Sequence, residues 1–336
     1  MTKQNTGRRG GFWKGLGLFF VGMLVLTAVL CALLWQALKK YEAGTPAAAM
    51  RRYLVQVQQQ EYDQLYEASG FTPTEFTGKE EYIAYLKRLY DGQNLSQAIF
   101  NHLDVWQETE NGPWQVRTHL DLDGWYEVLA PEDTDVWVNG VLLAPEEADT
   151  TLAPAYAGLP ETVSGPQMTL YRVTGVLGEP DVTAESENGR CAVEQSDPEE
   201  GEDAPLGVYT VLLKPDAKTA ETYKSLAQKA AETYATFISR DTDRSVMLAQ
   251  LIYGSEFHKR VASYNNIWYA EHTSHEFEDM EITELLCYGE NAFTCHVSFT
   301  YKVSRSGGRE YEYPSQYDMA FLKTGGRWKL VDLVTE

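Results

Sequence analysis

The sequence predicts an α+β protein that carries a single transmembrane helix near its N-terminus. Residues 15–38 contain no charged side chain, and the segments after them change from helical spacing to strand alternation. A content of 43% hydrophobic and 12% aromatic residues is sufficient for packed cores. We expect a small α+β domain at 45–127, a small β-rich domain at 128–215 and a second α+β domain at 216–336.

The uncharged run at 15–38 is long enough to cross a bilayer. A helix of that length extends about 36 Å, and the hydrocarbon core of a bilayer is ~30 Å thick. A cleaved signal peptide is the alternative, but its apolar region is usually only ~7–15 residues long and ends at small residues. Trp35, Gln36 and Leu38 occupy those positions here, and Cys31 follows Leu30 rather than the small residue of a lipoprotein signal.

The orientation of this helix follows from the charges on its two sides. Basic residues are balanced, with Lys3, Arg8, Arg9 and Lys14 before the helix and Lys39, Lys40, Arg51 and Arg52 after it. The first 40 residues contain no acidic side chain, whereas the rest of the chain has a net charge of −27. We therefore expect residues 1–14 to form a cytoplasmic tail of a single-pass cell-membrane protein whose C-terminal domains are extracellular.

The overall charge and the cysteines limit the function classes. A net charge of −21 argues against nucleic acid as a partner and favours cationic ones. Four cysteines do not make a disulfide framework. Cys287 and Cys295 flank a turn at 289–291, and a register symmetric about Asn291 would place them opposite each other. A disulfide and two buried free thiols are both open.

The first domain begins with helical signals. Thr45 followed by Pro46 is a typical helix N-cap, and Met50, Tyr53, Leu54 and Val57 then form an amphipathic stripe. Two further helices are predicted at 61–68 and 79–91. Extended segments on both sides of a turn at 110–113 complete this domain.

The middle region is dominated by strand and turn signals. Asn139-Gly140 between apolar residues predicts a tight β-hairpin. Further strands are predicted at 168–173, 181–185 and 208–213. The segment 196–205 is strongly acidic, which is typical of a solvated loop.

The C-terminal region is predicted to place its helices before its strands. A long helix is expected at 219–240, and shorter ones follow at 246–252 and 256–270. Four strands then follow one another through glycine-containing turns, at 277–288, 292–304, 309–323 and 327–334. This order predicts an antiparallel meander packed against helices.

The end of the chain carries a family resemblance. The apolar strand 319–323, a Gly-Gly turn and the segment Arg327-Trp-Lys-Leu-Val-Asp332 resemble the close of the cone-shaped nuclear-transport-factor-2-like superfamily, over residues 217–336. Residues 45–127 resemble a shorter copy and the small non-catalytic domain of some penicillin-binding proteins. The whole arrangement is similar to membrane proteins of Gram-positive bacteria associated with teicoplanin sensitivity, although their usual zinc ribbon would need cysteines ahead of Cys31.

Candidate sites follow partly from that resemblance. Some cones of the superfamily enclose a pocket, which implies Tyr264, Trp268, Tyr269 and His296 as lining residues. Ser263-Tyr264-Asn265 and Lys323-Thr324-Gly325 match two penicillin-binding motifs, but no serine is followed three positions later by the lysine of the nucleophile motif. The densest group of possible metal ligands consists of His258, Glu271, His272, His275, Glu276 and Asp279. No metal site is predicted from this group, because it contains no His-Glu-x-x-His motif.

The sequence therefore favours a non-catalytic, membrane-tethered extracellular binding or accessory module of the bacterial cell envelope. We expect no catalytic residue and no cofactor. Its partners would be the membrane itself and envelope proteins or cell-wall components, not nucleic acid. One alternative is an enzyme that uses a pocket in the C-terminal cone. Another is a ligand sensor that acts through a membrane partner, because the short N-terminal tail holds no signalling domain.

Overall fold

The computed structural model describes residues 9–91, 102–109, 112–198, 201, 203–265 and 271–335. It is 35% helix and 36% strand, which confirms the α+β class. The helices of the described part are α1 (Arg9–Ala43), α2 (Pro46–Gln58), α3 (Tyr62–Ser69), α4 (Lys79–Tyr90), α5 (Ala217–Ile238), α6 (Arg244–Gln250) and α7 (Glu256–Ser263). Its strands are β1 (Leu103–Gln107), β2 (Trp114–Thr118), β3 (Trp125–Pro131), β4 (Asp135–Val138), β5 (Val141–Leu142), β6 (Asp149–Leu152), β7 (Gln167–Thr174), β8 (Val182–Glu185), β9 (Arg190–Ser196), β10 (Val208–Lys214), β11 (Ser274–Cys287), β12 (Ala292–Arg305), β13 (Arg309–Thr324) and β14 (Arg327–Thr335).

Helix α1 contains the uncharged run and continues beyond it. Over Leu16–Ala43 it is long and apolar enough to cross a membrane, and no part of its most apolar stretch is buried inside the protein. Leu18, Leu24 and Leu34 are 78%, 72% and 67% exposed. Because such a surface prefers hydrocarbon to water, the prediction of one N-terminal helix able to span a membrane is confirmed among the described helices.

The first of two compact units comprises Met1–Pro73 and Gly78–Asp121. Helix α2 begins as predicted, because the side chain of Thr45 accepts a hydrogen bond from the backbone N–H of Ala48 at 3.2 Å and Pro46 occupies the first helical turn. This cap satisfies one of the backbone donors that every helix leaves without an intrahelical partner at its N-terminus.

Three hydroxyl groups meet in the core of this first unit. Tyr53 on α2 and Tyr90 on α4 both contact the hydroxyl of Thr118 at the end of β2. Thr118 is fully buried, so these hydrogen bonds replace water for all three groups. They join two helices to the β1–β2 hairpin and fix the side of each helix that faces inward.

The second unit comprises Thr74–Thr77 and Leu122–Glu336. It is built on a nine-stranded sheet in the order β14-β13-β12-β11-β10-β3-β7-β6, with β9 also paired to β10. Strand β10 is parallel to β3 and antiparallel to β11, which it meets where Leu213 pairs with Cys287. The predicted boundary between 215 and 216 therefore lies inside one compact unit, and β3 crosses the boundary predicted at 127–128.

The Asn139-Gly140 hairpin forms as the sequence predicts. The two residues have φ angles of 49° and 78°, and Val138 pairs with Val141 on either side of them. Both central residues must adopt positive φ in this turn, which glycine and asparagine tolerate best. The Asn139 side chain also donates to the carbonyl of Phe76 at 2.8 Å, which attaches the turn to the rest of the unit.

The C-terminal part has the predicted order of helices followed by an antiparallel meander, β11–β14. Gly325 and Gly326, with φ angles of 56° and 76°, form the turn between β13 and β14. Strand β11 has two register shifts, next to Asp279 and Glu284, which also have positive φ. Bulges of this kind bend a strand and increase its twist, so β11 curves beside β12.

Candidate functional site

The predicted pocket residues fall in separate places. Tyr264 follows α7, and its ring lies 6.0 Å from that of Phe237 in a cleft of about 290 Å³. His296 lies on β12 and lines a different cleft of about 330 Å³. Trp268 and Tyr269 lie outside the described residues. The structure therefore does not bring Tyr264 and His296 into one pocket.

Strand alternation explains this separation. Phe293, Val297 and Tyr301 on β12 are buried in the core that β12 forms with the helices. His296 is one residue out of phase with them, so its side chain lies on the opposite face of the sheet. A resemblance at the level of fold gives the order of the strands, but it does not determine which face a given side chain occupies.

Aromatic side chains pack together between α5 and the strands β12, β13 and β14. The ring of Phe293 is stacked between Tyr223 and Phe321, at centroid distances of 4.0 and 4.5 Å. Trp328 contacts the same ring edge-on at 5.1 Å. Phe293 is fully buried. These residues form a packed core between α5 and the strands β12, β13 and β14.

His296 forms a pair with a carboxylate on the opposite face. Its Nδ1 lies 2.8 Å from Oδ1 of Asp318, directly across on β13. Such a contact can orient an imidazole for proton transfer, which is the observation that favours the enzyme alternative. The adjacent thiol of Cys295 faces the core, where burial and the charge of Asp318 raise its pKa to about 12. It therefore stays protonated at neutral pH and offers no activated nucleophile.

The two C-terminal cysteines are free and buried. Cys287 pairs with Phe293 and not with Cys295, because the backbone N–H of Tyr288 donates to the carbonyl of Ala292 at 2.9 Å and closes a turn centred on Glu290. The predicted register was wrong by two residues on one strand, because the centre of the turn lies one residue earlier than predicted. The thiols are therefore diagonal neighbours on one face, a separation of roughly 7–8 Å that is too wide for a disulfide.

A polar cluster that the sequence analysis did not assemble lies at the end of α5. It consists of Asp241, His272 and His275, whose nearest side-chain ligand atoms all lie within 4.8 Å of one another. Oδ2 of Asp241 is 2.8 Å from Nε2 of His272 and 3.4 Å from Nδ1 of His275. The side chain of His272 is only 4% exposed. His258, which the sequence analysis grouped with these histidines, instead contacts the ring of Tyr253 edge-on.

The end of α5 positions the carboxylate of this cluster. Ser239 caps the helix, Arg240 adopts a φ of 70°, and the backbone N–H of Asp241 donates to the carbonyl of Thr236 at 2.8 Å. This closure is a Schellman motif, which reverses the chain sharply after a helix. It directs Asp241 towards the histidines at the start of β11.

Two hydroxyl groups support the same carboxylate oxygen. Ser239 donates to Oδ2 of Asp241 at 2.7 Å, and Tyr301 on β12 donates to it at 3.3 Å. Burial raises the pKa of Asp241, but the hydrogen bonds from Ser239 and His272 outweigh this effect and lower the pKa below its ordinary value. The carboxylate is therefore ionised at neutral pH.

A wide groove of about 1040 Å³ lies elsewhere in the second unit. Its lining contains Ser164–Gln167, the loop at 289–291 and the end of β13. Lys323 is the basic residue among the described lining residues. The acidic lining residues are Glu132, Asp133, Asp135, Glu185, Glu187 and Glu290.

Two of these carboxylates face each other across a strand pair. Asp135 on β4 pairs directly with Glu185 on β8, and both are exposed. Like charges in directly opposed positions destabilise a sheet. The groove therefore keeps a pair of charges that does not contribute to the stability of the fold.

The sequence analysis missed both the histidine–aspartate cluster and the opposed carboxylates of the groove, and for the same reason. Asp241 is 31 residues from His272, and Asp135 is paired with a residue on a non-consecutive strand. No local spacing connects such residues.

Comparison with models of protein families, with curated proteins and with solved structures found no match.

Proposed function

We propose that this protein is a non-catalytic, membrane-tethered binding or accessory module of the bacterial cell envelope, and that it binds a cationic partner in the acidic groove. Helix α1 supplies the anchor, and the C-terminal domains lie outside the cell membrane. The packed core around Phe293 supports binding at the surface in preference to an internal active site. The observation that carries the proposal is the opposed pair Asp135 and Glu185.

The energetic argument rests on this like-charged pair. Opposed carboxylates on neighbouring strands cost a few tenths of a kcal/mol, up to ~1 kcal/mol, relative to neutral residues. Proteins keep local conflicts of this kind mainly at functional sites. An ammonium or guanidinium group placed between the two carboxylates would turn the repulsion into attraction, so the groove gains most from a positively charged partner.

The partner class follows from charge and location. A groove of about 1040 Å³ with six acidic lining residues accommodates several residues of an extended basic segment. Outside a cell membrane, such groups are available on envelope proteins and on amine-bearing cell-wall components. Nucleic acid is disfavoured, because its phosphates would meet carboxylates. The resemblance to teicoplanin-sensitivity-associated membrane proteins is consistent with this assignment.

A double variant tests the groove. Asp135→Asn with Glu185→Gln keeps the size of both side chains and removes their charge. We expect the full-length chain in detergent micelles to bind a fluorescent hexalysine peptide ~2–30-fold more weakly, since each exposed ion pair is worth ~0.2–1 kcal/mol. The free energy of unfolding should rise by a few tenths of a kcal/mol, because the repulsion is gone. Fluorescence anisotropy and urea denaturation measure the two effects.

The matched control removes the same net charge elsewhere. Glu179 and Glu194 are exposed residues of the second unit that do not line the groove, so Glu179→Gln with Glu194→Gln should leave peptide affinity within about twofold of the wild type. An equal loss of affinity in both double variants would mean that the peptide senses net charge alone, and it would contradict the proposal.

A further inference from the structure

The Asp241, His272 and His275 cluster has the donor set of a transition-metal site. Two imidazole nitrogens and one carboxylate oxygen are common ligands of Zn²⁺, and sites with three protein ligands leave a fourth position for water or a ligand. Hard cations such as Ca²⁺ and Mg²⁺ prefer oxygen ligands and would not select two histidines. The chemistry of the three side chains therefore favours a borderline metal ion.

The geometry is close to that of a bound ion. With metal–ligand bonds of ~2.0–2.2 Å, neighbouring ligand atoms of a tetrahedral zinc site lie roughly 3.3 Å apart. In this protein Oδ2 of Asp241 is 2.8 Å from one histidine nitrogen and 3.4 Å from the other. Small side-chain rotations would bring all three atoms to one ion. His272 is nearly buried, whereas His275 and Asp241 are each 33% exposed, so an ion could enter from solvent.

Two hydroxyl groups hold the carboxylate of Asp241 in place. Ser239 and Tyr301 both donate to Oδ2 of Asp241, and Ser239 also contacts the hydroxyl of Tyr301 at 2.8 Å. Hydrogen bonds that orient a ligating carboxylate are a regular part of metal sites. Two of the ligands are tied to regular structure, since Asp241 belongs to the turn that closes α5 and His275 lies on β11 in register with Val303 of β12.

We propose that Asp241, His272 and His275 bind one Zn²⁺ ion, with the fourth position open to water or to a ligand. The ion would join the end of α5 to the start of β11. The site is separate from the acidic groove, and none of its three ligands lines that groove. Binding of Zn²⁺ at this site would therefore not depend on the cationic partner.

Calorimetric titration of the metal-free, full-length chain with Zn²⁺ in detergent micelles tests the site. The protein is purified without a polyhistidine tag. We expect one ion per chain, and the visible absorption of a tetrahedral site when Co²⁺ replaces Zn²⁺. His275→Gln removes a partly exposed ligand and should weaken binding at least ~100-fold, because loss of a supporting residue alone costs ~10–100-fold. Ser239→Ala, which removes such a supporting hydroxyl, should weaken it about tenfold.

His258→Gln is the matched control, because His258 lies in the same unit and is not part of the cluster. It should bind Zn²⁺ as the wild type does. Circular dichroism at neutral pH establishes that each variant is folded, and Asp241→Asn provides a second ligand variant of unchanged size. The proposal is overturned if the wild type binds no Zn²⁺, or if His275→Gln and Asp241→Asn each weaken binding less than tenfold. A loss of tenfold or more in both, with His258→Gln unchanged, supports it.

Discussion

Replacing Phe293 with alanine should lower the free energy of unfolding of the second unit by about 3–5 kcal/mol. The side chain is fully buried, and it is stacked between Tyr223 and Phe321 with Trp328 at its edge. Alanine would remove the whole ring and leave a cavity that these three rigid neighbours cannot fill. Urea denaturation of the full-length chain in detergent, followed by tryptophan fluorescence, measures the loss.

The control for this substitution is Tyr253→Ala, which removes an aromatic ring that is 84% exposed. Its effect should stay within about 0.5 kcal/mol, because surface substitutions away from special contacts are usually near neutral. If Phe293→Ala also cost less than 1 kcal/mol, the packed core beneath the C-terminal helices would be contradicted. An open pocket at that position would then become the better description.

Alkaline pH should destabilise the second unit strongly. Burial is the main cause that raises the pKa of each of four tyrosines from 10.0 to about 12, namely Tyr209, Tyr223, Tyr301 and Tyr317. Between those two values the unfolded chain has released these protons and the folded chain still holds them. The stability they contribute is therefore complete below pH 10 and is lost as the pH rises towards 12.

The size of this effect can be estimated from linkage. Each tyrosine costs about 1.4 kcal/mol per pH unit within the window, so four of them lower the free energy of unfolding by roughly 5 kcal/mol at pH 11. Urea denaturation at several values from pH 8 to pH 11.5 measures the slope. Tyr317→Phe should reduce the slope by about 1.4 kcal/mol per pH unit, which is the share of one titrating group. Constant stability across this range, or an unchanged slope in Tyr317→Phe, would contradict the burial of these phenols.

The features that sequence predicted correctly depend on local backbone geometry. The Thr45 cap, the Asn139-Gly140 hairpin and the Gly325-Gly326 turn each need residue types that tolerate a particular φ angle or offer a particular side-chain acceptor. Such requirements act within four or five residues. Helix α1 was predictable for a related reason, because its length and lack of charge are properties of one continuous segment.

The features that sequence did not predict depend on pairing between distant segments. The antiparallel pairing of β10 with β11 joins the predicted middle domain to the predicted C-terminal domain, and residues 122–336 lie in one compact unit. The error in the predicted pairing of Cys287 has a local cause. Moving the centre of one turn from Asn291 to Glu290 changed every partner along the hairpin, since register is determined by loop length.

Protease treatment of intact bacterial cells that express the full-length chain tests the central claim most directly, which is a membrane-tethered module facing outward. With an epitope tag at each end, we expect protease to digest the segment beyond Lys40, while the N-terminal tag stays protected and membrane-bound. The opposite pattern, a protected C-terminal tag and a digested N-terminal tag, would contradict the outward orientation. Recovery of the chain from the medium with its N-terminus after residue 40 would contradict the anchor itself.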